Sequence, residues 1–215
     1  MRRLVATAFV AFLALALSGT ASLAQDATPE ATPDGTPVGA VQTRLIDAQG
    51  QEVGTATFLE SNGGVSIVVE LNPGALEPGQ HGIHVHEIGI CDPSGPEPFA
   101  SAGGHYNPTG EQHGAPMMAT PGVMPTASES HAGDLGNLTV EADGSARLET
   151  TTDRFTLDQG PTGLNDADGS AIVIHAEEDD PTMQPSGGSG GRLICGVIFP
   201  PMTDATPGAS PVTTG

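Results

Sequence analysis

The sequence predicts an all-β fold, an antiparallel sandwich or barrel of about eight short strands. Three observations carry this. Helical periodicity is almost absent, short β-rich runs recur, and clusters of Gly, Pro, Asn and Asp punctuate them. The first run, 41–46, ends on the turn Ala48-Gln49-Gly50. The second, 55–59, alternates apolar and polar residues, and Asn62-Gly63 then signals a hairpin that returns over 65–71. Pro73-Gly74 and Pro78-Gly79 bracket the approach to a fourth strand, which carries HGIHVHE at 81–87. After a long Gly/Pro-rich interval, 137–140 and 146–151 flank a second hairpin signal, Asp143-Gly144. Runs at 171–174 and 193–199 complete the set.

Two stretches, 92–133 and 176–191, read as loops by composition. Loops longer than about 15 residues inside a compact domain need something to order them. Both carry or border histidines, and a bound metal ion supplies the cohesion that such loops cannot draw from a core.

The ends of the chain have a different character. Arg2 and Arg3, an apolar run over 4–17 and the small residues around Ala24 give residues 1–24 the pattern of a removed export signal. The run is too short for a comfortable membrane span. Residues 25–38 repeat Thr-Pro, 201–215 share that composition, and both read as disordered segments that cannot build a core. The stretch between, 39–200, is long enough for one domain with a sizeable core. The expectation is an exported protein, periplasmic, cell-surface or extracellular, with no membrane association once the signal is removed.

Charge and cysteine content narrow the partners. Formal net charge is −20 and there is no lysine, so beyond the signal the only bases are Arg44, Arg147, Arg154 and Arg192. Such a polyanion repels nucleic acid and anionic membranes. Cys91 and Cys195, in an exported chain, read as an intramolecular disulfide; two free thiols or two zinc ligands are the alternatives.

The chemistry resides in the seven histidines, at 81, 84, 86, 105, 113, 131 and 175. Strand side chains alternate faces, so His84 and His86 project to the same side and form half of a nitrogen-rich metal site. His105, His113, His131 and Asp134 are three imidazoles and a carboxylate, a set that suits tetrahedral zinc in a structural role. His175 ends a strand and can join His84 and His86, and three or four nitrogen ligands in a tetragonal arrangement favour copper.

The motifs HGIHVHE, GGHYNP, HAGDLGN, IVIHAEEDD and GGRLICGVI, in this order, resemble those of the copper/zinc superoxide dismutases over about residues 39–199. The resemblance implies an eight-stranded antiparallel Greek-key β-barrel with two long metal-binding loops. It implies an antioxidant oxidoreductase that converts superoxide to oxygen and hydrogen peroxide, with copper and zinc as cofactors, and it allows a homodimer. By motif, His84, His86, His105 and His175 would hold copper. His105 would bridge to zinc, with His113, His131 and Asp134 completing that site. Asp179 would link the two sites, Arg192 would stand at the mouth of the copper channel, and Cys91 and Cys195 would form the family's disulfide. A second reading is an exported copper-binding or storage module with little turnover, which needs neither Arg192 nor a bridging His105.

The chain departs from the familiar pattern in two places. The segment between His113 and His131 holds Met117, Met118 and Met124, soft thioethers that either capture Cu⁺ or fill gaps over an exposed loop. The 176–191 loop is acidic and lysine-free, and Glu177, Glu178, Asp179 and Asp180 are expected to oppose an approaching anion. Asn137-Leu138-Thr139 is a formal glycosylation sequon, assigned here to structure because it lies inside HAGDLGN.

Overall fold

A computed structural model describes residues 39–61, 64–114 and 130–202. The signal-like segment, most of both Thr/Pro-rich ends, Asn62-Gly63 and the three methionines of the first loop lie outside the described residues. The strands are β1 (Gly39–Asp47), β2 (Glu52–Ser61), β3 (Gly64–Leu71), β4 (Gly79–His86), β5 (Asp134–Val140), β6 (Ala146–Thr152), β7 (Ser170–His175) and β8 (Arg192–Phe199). They close an antiparallel barrel in the order β1-β2-β3-β6-β5-β4-β7-β8, with Ile46↔Cys195 sealing the seam between β1 and β8. Closure removes the unpaired sheet edges that would otherwise invite aggregation. The link from β3, which pairs with β6, to β4, which lies between β5 and β7, is the Greek-key crossover. Among the described residues no helix is long and apolar enough to cross a membrane.

The expected strands all form, and each is longer than its β-rich run. Ladder hydrogen bonds use only backbone, so β2 extends to Glu52 and Ser61 although neither end is apolar. Asp143-Gly144 makes its turn, with Gly144 at φ 82° donating its N–H to Glu141 O. Yet β5 and β6 pair only at Val140↔Ala146. The turn is a corner where two strands part for different neighbours.

Period-two burial builds the interior. Ala56 and Phe58 of β2 and Val65, Ile67 and Val69 of β3 point inward and are fully buried. Each large side chain of this kind contributes about 1.5–3 kcal/mol when fully buried. In contrast, β7 is buried along its whole length. Ile172 and Ile174 join the barrel core, while Ala171 and Val173 join a smaller cluster with Phe99, Ala102 and Cys195. The wall made by β4, β7 and β8 is therefore covered on both faces, and the long loops cover the outer one.

Candidate metal centre

The outer face of β4 and β7 carries the first donors. His84 and His86 share that face with ring centroids 6.3 Å apart. The pairing Ile83↔Ile174 sets β7 alongside and brings His175 to the same end. An isolated bridge, His86↔His105, presses the first long loop onto β4, and Glu87 accepts a 2.9 Å hydrogen bond from Gly104 N–H. A register shift between Gly82 and His84 places Asp134, the first residue of β5, opposite His84. Gly133 lets this corner close, because a side chain there would run into Val85 O.

His84, His86, His105 and His175 bring one donor atom each to within 4.8 Å of one another. His86 Nδ1 lies 3.0 Å from Gly103 O, and His175 Nδ1 lies 3.3 Å from Gly190 O. A carbonyl only accepts, so both Nδ1 atoms carry the proton and both Nε2 lone pairs are left to face each other, 3.3 Å apart. His84 Nε2 is 3.1 Å from Asp179 Oδ1, which leaves its Nδ1 buried with no hydrogen-bond partner. Buried lone pairs aimed at one another are what a cation resolves. The donors fit a nitrogen-rich copper site.

The second set has the same character. By separation alone it is His84, His105, His113 and Asp134. His131 joins it through Nδ1, 3.4 Å from Asp134 Oδ1 and 3.3 Å from His105 Nδ1. His105 Nδ1 is 2.9 Å from Asp134 Oδ1, and His113 Nδ1 is 3.1 Å from Asp134 Oδ2. Neither ring nitrogen of buried His113 makes an aligned hydrogen bond, although Asp134 and Asp179 oxygens are near both. Three Nδ1 atoms around one carboxylate fit tetrahedral zinc.

Asp179 stands between the sets, 3.1 Å from His84 Nε2 and 3.2 Å from His113 Nε2. It is buried, while Glu177, Glu178 and Asp180 are exposed, so the acidic run divides into one site residue and three surface charges. Asn137 pairs with the Asp179 backbone through both atoms of its amide, at 2.7 and 3.0 Å. That supports reading the sequon as structure.

Three other contacts had no signal in the sequence. Gln184 pairs with both backbone groups of His113, locking the second loop to the first. Gly187, at φ 71°, sits where any side chain would strike Asp179 and His113. Arg154 donates to the backbone of the turn that holds His131 and Asp134. His81 stands apart from the donor sets, its ring between His175 O at 2.8 Å and Glu77 O at 3.0 Å.

Burial drives the electrostatics. It holds His84 and His86 well below the ordinary imidazole value, with the neighbouring rings His105 and His175 adding to the effect. His175 is pushed down to about 4 by burial, and His131 is lowered by the same cause. Burial alone would raise Asp134, but hydrogen bonds from His105 and Gly114 N–H outweigh it and leave the carboxyl below its usual value. Burial raises Asp179. Neutral imidazoles beside an ionised carboxylate are the forms that bind a metal.

A pH dependence follows for the metal-free protein. The unfolded chain takes up a proton on His175 near 6.5 and the folded chain only near 4, so the unfolded state binds more protons between those values. Stability is full above pH 6.5 and falls as the pH drops towards 4, by about 3 kcal/mol from this ring alone. Urea midpoints of the apo protein between pH 7.5 and 4.5 will check this. A flat or rising trend on acidification contradicts it.

A cavity of about 590 Å³ opens onto the first set, lined by His86, His105, His131, His175, Ser189 and Arg192 among others. Arg192 donates from Nη1 to Phe99 O at 2.6 Å and from Nη2 to Gly103 O, so its charge is fixed at the mouth. Cys91 and Cys195 are disulfide-bonded, which settles their alternatives and ties the first loop to β8.

The family model described as copper/zinc superoxide dismutase (SODC) matches residues 52–198. The Cu-Zn superoxide dismutase of Deinococcus radiodurans is 39% identical over 165 residues, 74% of this chain and 83% of its own. Among solved structures, a SOD-like protein from Bacillus subtilis is 32% identical with a TM-score of 0.61, covering 73% of this chain and 97% of its own. The Cu/Zn superoxide dismutase from Brucella abortus is 28% identical with a TM-score of 0.56, covering 74% and 99%.

Proposed function

From the premise that this chain belongs to the copper/zinc superoxide dismutase family, we propose which of its residues carry the reaction. It is an oxidoreductase that converts two superoxide ions and two protons to oxygen and hydrogen peroxide, with copper and zinc as cofactors. His84, His86, His105 and His175 hold copper; His105, His113, His131 and Asp134 hold zinc. By separation both His84 and His105 belong to the two donor groups. The observation that carries the assignment is that His84 Nε2 is taken by Asp179 Oδ1 at 3.1 Å, which leaves that ring one nitrogen for a metal. His105, in contrast, sets Nδ1 2.9 Å from Asp134 Oδ1 and lines the cavity beside His86 and His175.

When bound, copper supplies a one-electron couple and zinc a fixed positive charge. The chain does the rest. Gly103 O and Gly190 O hold His86 and His175 in the tautomer that presents Nε2. Asp179 orients His84 and His113 together, as outer partners of ligands do. With His105 Nδ1 on the Asp134 side, its Nε2 is the atom that takes a proton from the cavity and passes it to departing peroxide. Arg192 offers an anchored cation to an anionic substrate.

We also place the chain outside the cytoplasm, exported through residues 1–24. Cys91–Cys195 supports an oxidising compartment.

Superoxide turnover of the full chain, measured beside its copper and zinc content, tests the assignment. Turnover proportional to copper is expected, and copper binding without turnover favours the storage module. Exposed Glu177, Glu178 and Asp180, with no lysine to offset them, weaken the pull of Arg192. Raising the salt from about 10 to 200 mM is therefore expected to change kcat/KM by less than about twofold. A steep slowing, as strong steering would give, contradicts it.

A further inference from the structure

The turn that carries two of the zinc-side donors is short, and its middle is pinned by Val85 N–H to Gly133 O at 2.8 Å and Gly133 N–H to Tyr106 O at 2.9 Å. His131 to Asp134 closes on itself through Asp134 N–H to His131 O, 3.1 Å, and His131 N–H to Asp134 Oδ2, 3.1 Å. Beneath it lies Arg154, two residues beyond β6 and partly buried. Its Nη1 donates to Ser130 Oγ at 2.6 Å and to His131 O, its Nη2 donates to Asp134 O, and its Nε reaches Thr152 Oγ1 at 3.4 Å. The guanidinium thus grips the backbone carbonyls of both donor residues.

We infer that Arg154 is a positioning residue for zinc, its planar fork fixing the distance between the His131 and Asp134 backbones and so the angle at which their side chains meet the ion. The shape of the cation makes this more than a plug: a fork with donors in fixed directions spans two carbonyls at once, whereas a lysine ammonium is a point charge on a flexible stem. Arg154 touches neither substrate nor the copper donors, so its effect should be confined to one of the two ions. The inference rests on assigning zinc to His105, His113, His131 and Asp134.

The test uses Arg154→Lys, which keeps the charge and removes the fork, with Arg154→Met as the charge-free counterpart. Zinc affinity is measured by chelator competition on the copper-free protein, cobalt substituted for zinc reports ligand geometry through its visible bands, and copper affinity is read in parallel. For Arg154→Lys the expectation is zinc binding about 10–100-fold weaker, a typical loss for outer partners of a metal site, with shifted cobalt bands and copper affinity within about threefold. The folded lysine variant decides the matter if the methionine variant fails to fold. Wild-type zinc affinity and cobalt bands in Arg154→Lys overturn the role of Arg154 alone. An equal loss of copper and zinc also overturns it, since that marks general loosening. Wild-type protein that binds neither zinc nor cobalt overturns the ligand assignment, and the role of Arg154 with it.

Discussion

Replacing His175 with alanine is expected to abolish superoxide turnover and to weaken copper binding at least about 100-fold, because even outer partners of ligands are worth about 10–100-fold. Zinc affinity should stay within about threefold of wild type. The asymmetry comes from the fold. His175 ends β7 and faces His86 Nε2 at 3.3 Å, while no contact joins it to Asp134, His113 or His131 within salt-bridge or hydrogen-bond range. The change removes one of three donors set on the β4–β7 wall and leaves the turn at 131–134 untouched. Metal content by elemental analysis and turnover on the same sample check both halves. Retained turnover, or loss of zinc together with copper, contradicts the division of donors into two sets.

Cys91→Ser is expected to lower stability by about 4–5 kcal/mol in the chain-entropy account, since the bond closes a loop 104 residues apart in sequence. Cys91 is the better position to change because it is half-buried, whereas Cys195 lies in a fully buried cluster with Phe99, Ala102 and Val173. The consequence reaches the site. Phe99 O and Gly103 O, on the loop the disulfide tethers, accept the hydrogen bonds of Arg192, and Gly103 O also holds His86 Nδ1. Freed at Cys91, that loop should lose its grip on both, so turnover per bound copper falls as well. Denaturant midpoints of wild type and variant, each with and without reductant, decide the stability effect. A variant that equals oxidised wild type in midpoint and turnover contradicts it.

The strands and donors were legible for one reason: both depend on side-chain identity at short range. Period-two runs such as 65–71 announce a half-buried strand, and His84 and His86 announce a shared face. What the sequence left hidden depends on backbone groups or on distant partners. Gly103 O and Gly190 O set two histidine tautomers, but every residue carries a carbonyl and none is marked for the task. Asp143-Gly144 signals a turn without naming neighbours, and β5 and β6 go on to pair with β4 and β3. Arg154 looks like one of four scattered bases until β6 delivers it beneath the 131–134 turn. By composition Asp179 is one acid in a run of four, and only its place in the motif IVIHAEEDD marked it as the link between the sites. The fold then buries it while leaving Glu177, Glu178 and Asp180 in water. For His81 the parity of the strand held a clue. It is offset by an odd number of residues from His84, so it falls on the other face and ties the His175 backbone instead of meeting an ion.

The most direct measurement is a crystal structure of the protein loaded with both metals, with anomalous maps collected at the copper and zinc absorption edges. Two separate peaks are predicted, one for each element. They should lie on opposite sides of the His105 ring, each about 2.0–2.1 Å from one of its nitrogens. A His105 ring that meets only one peak, or a single peak serving all the donors, would contradict the account.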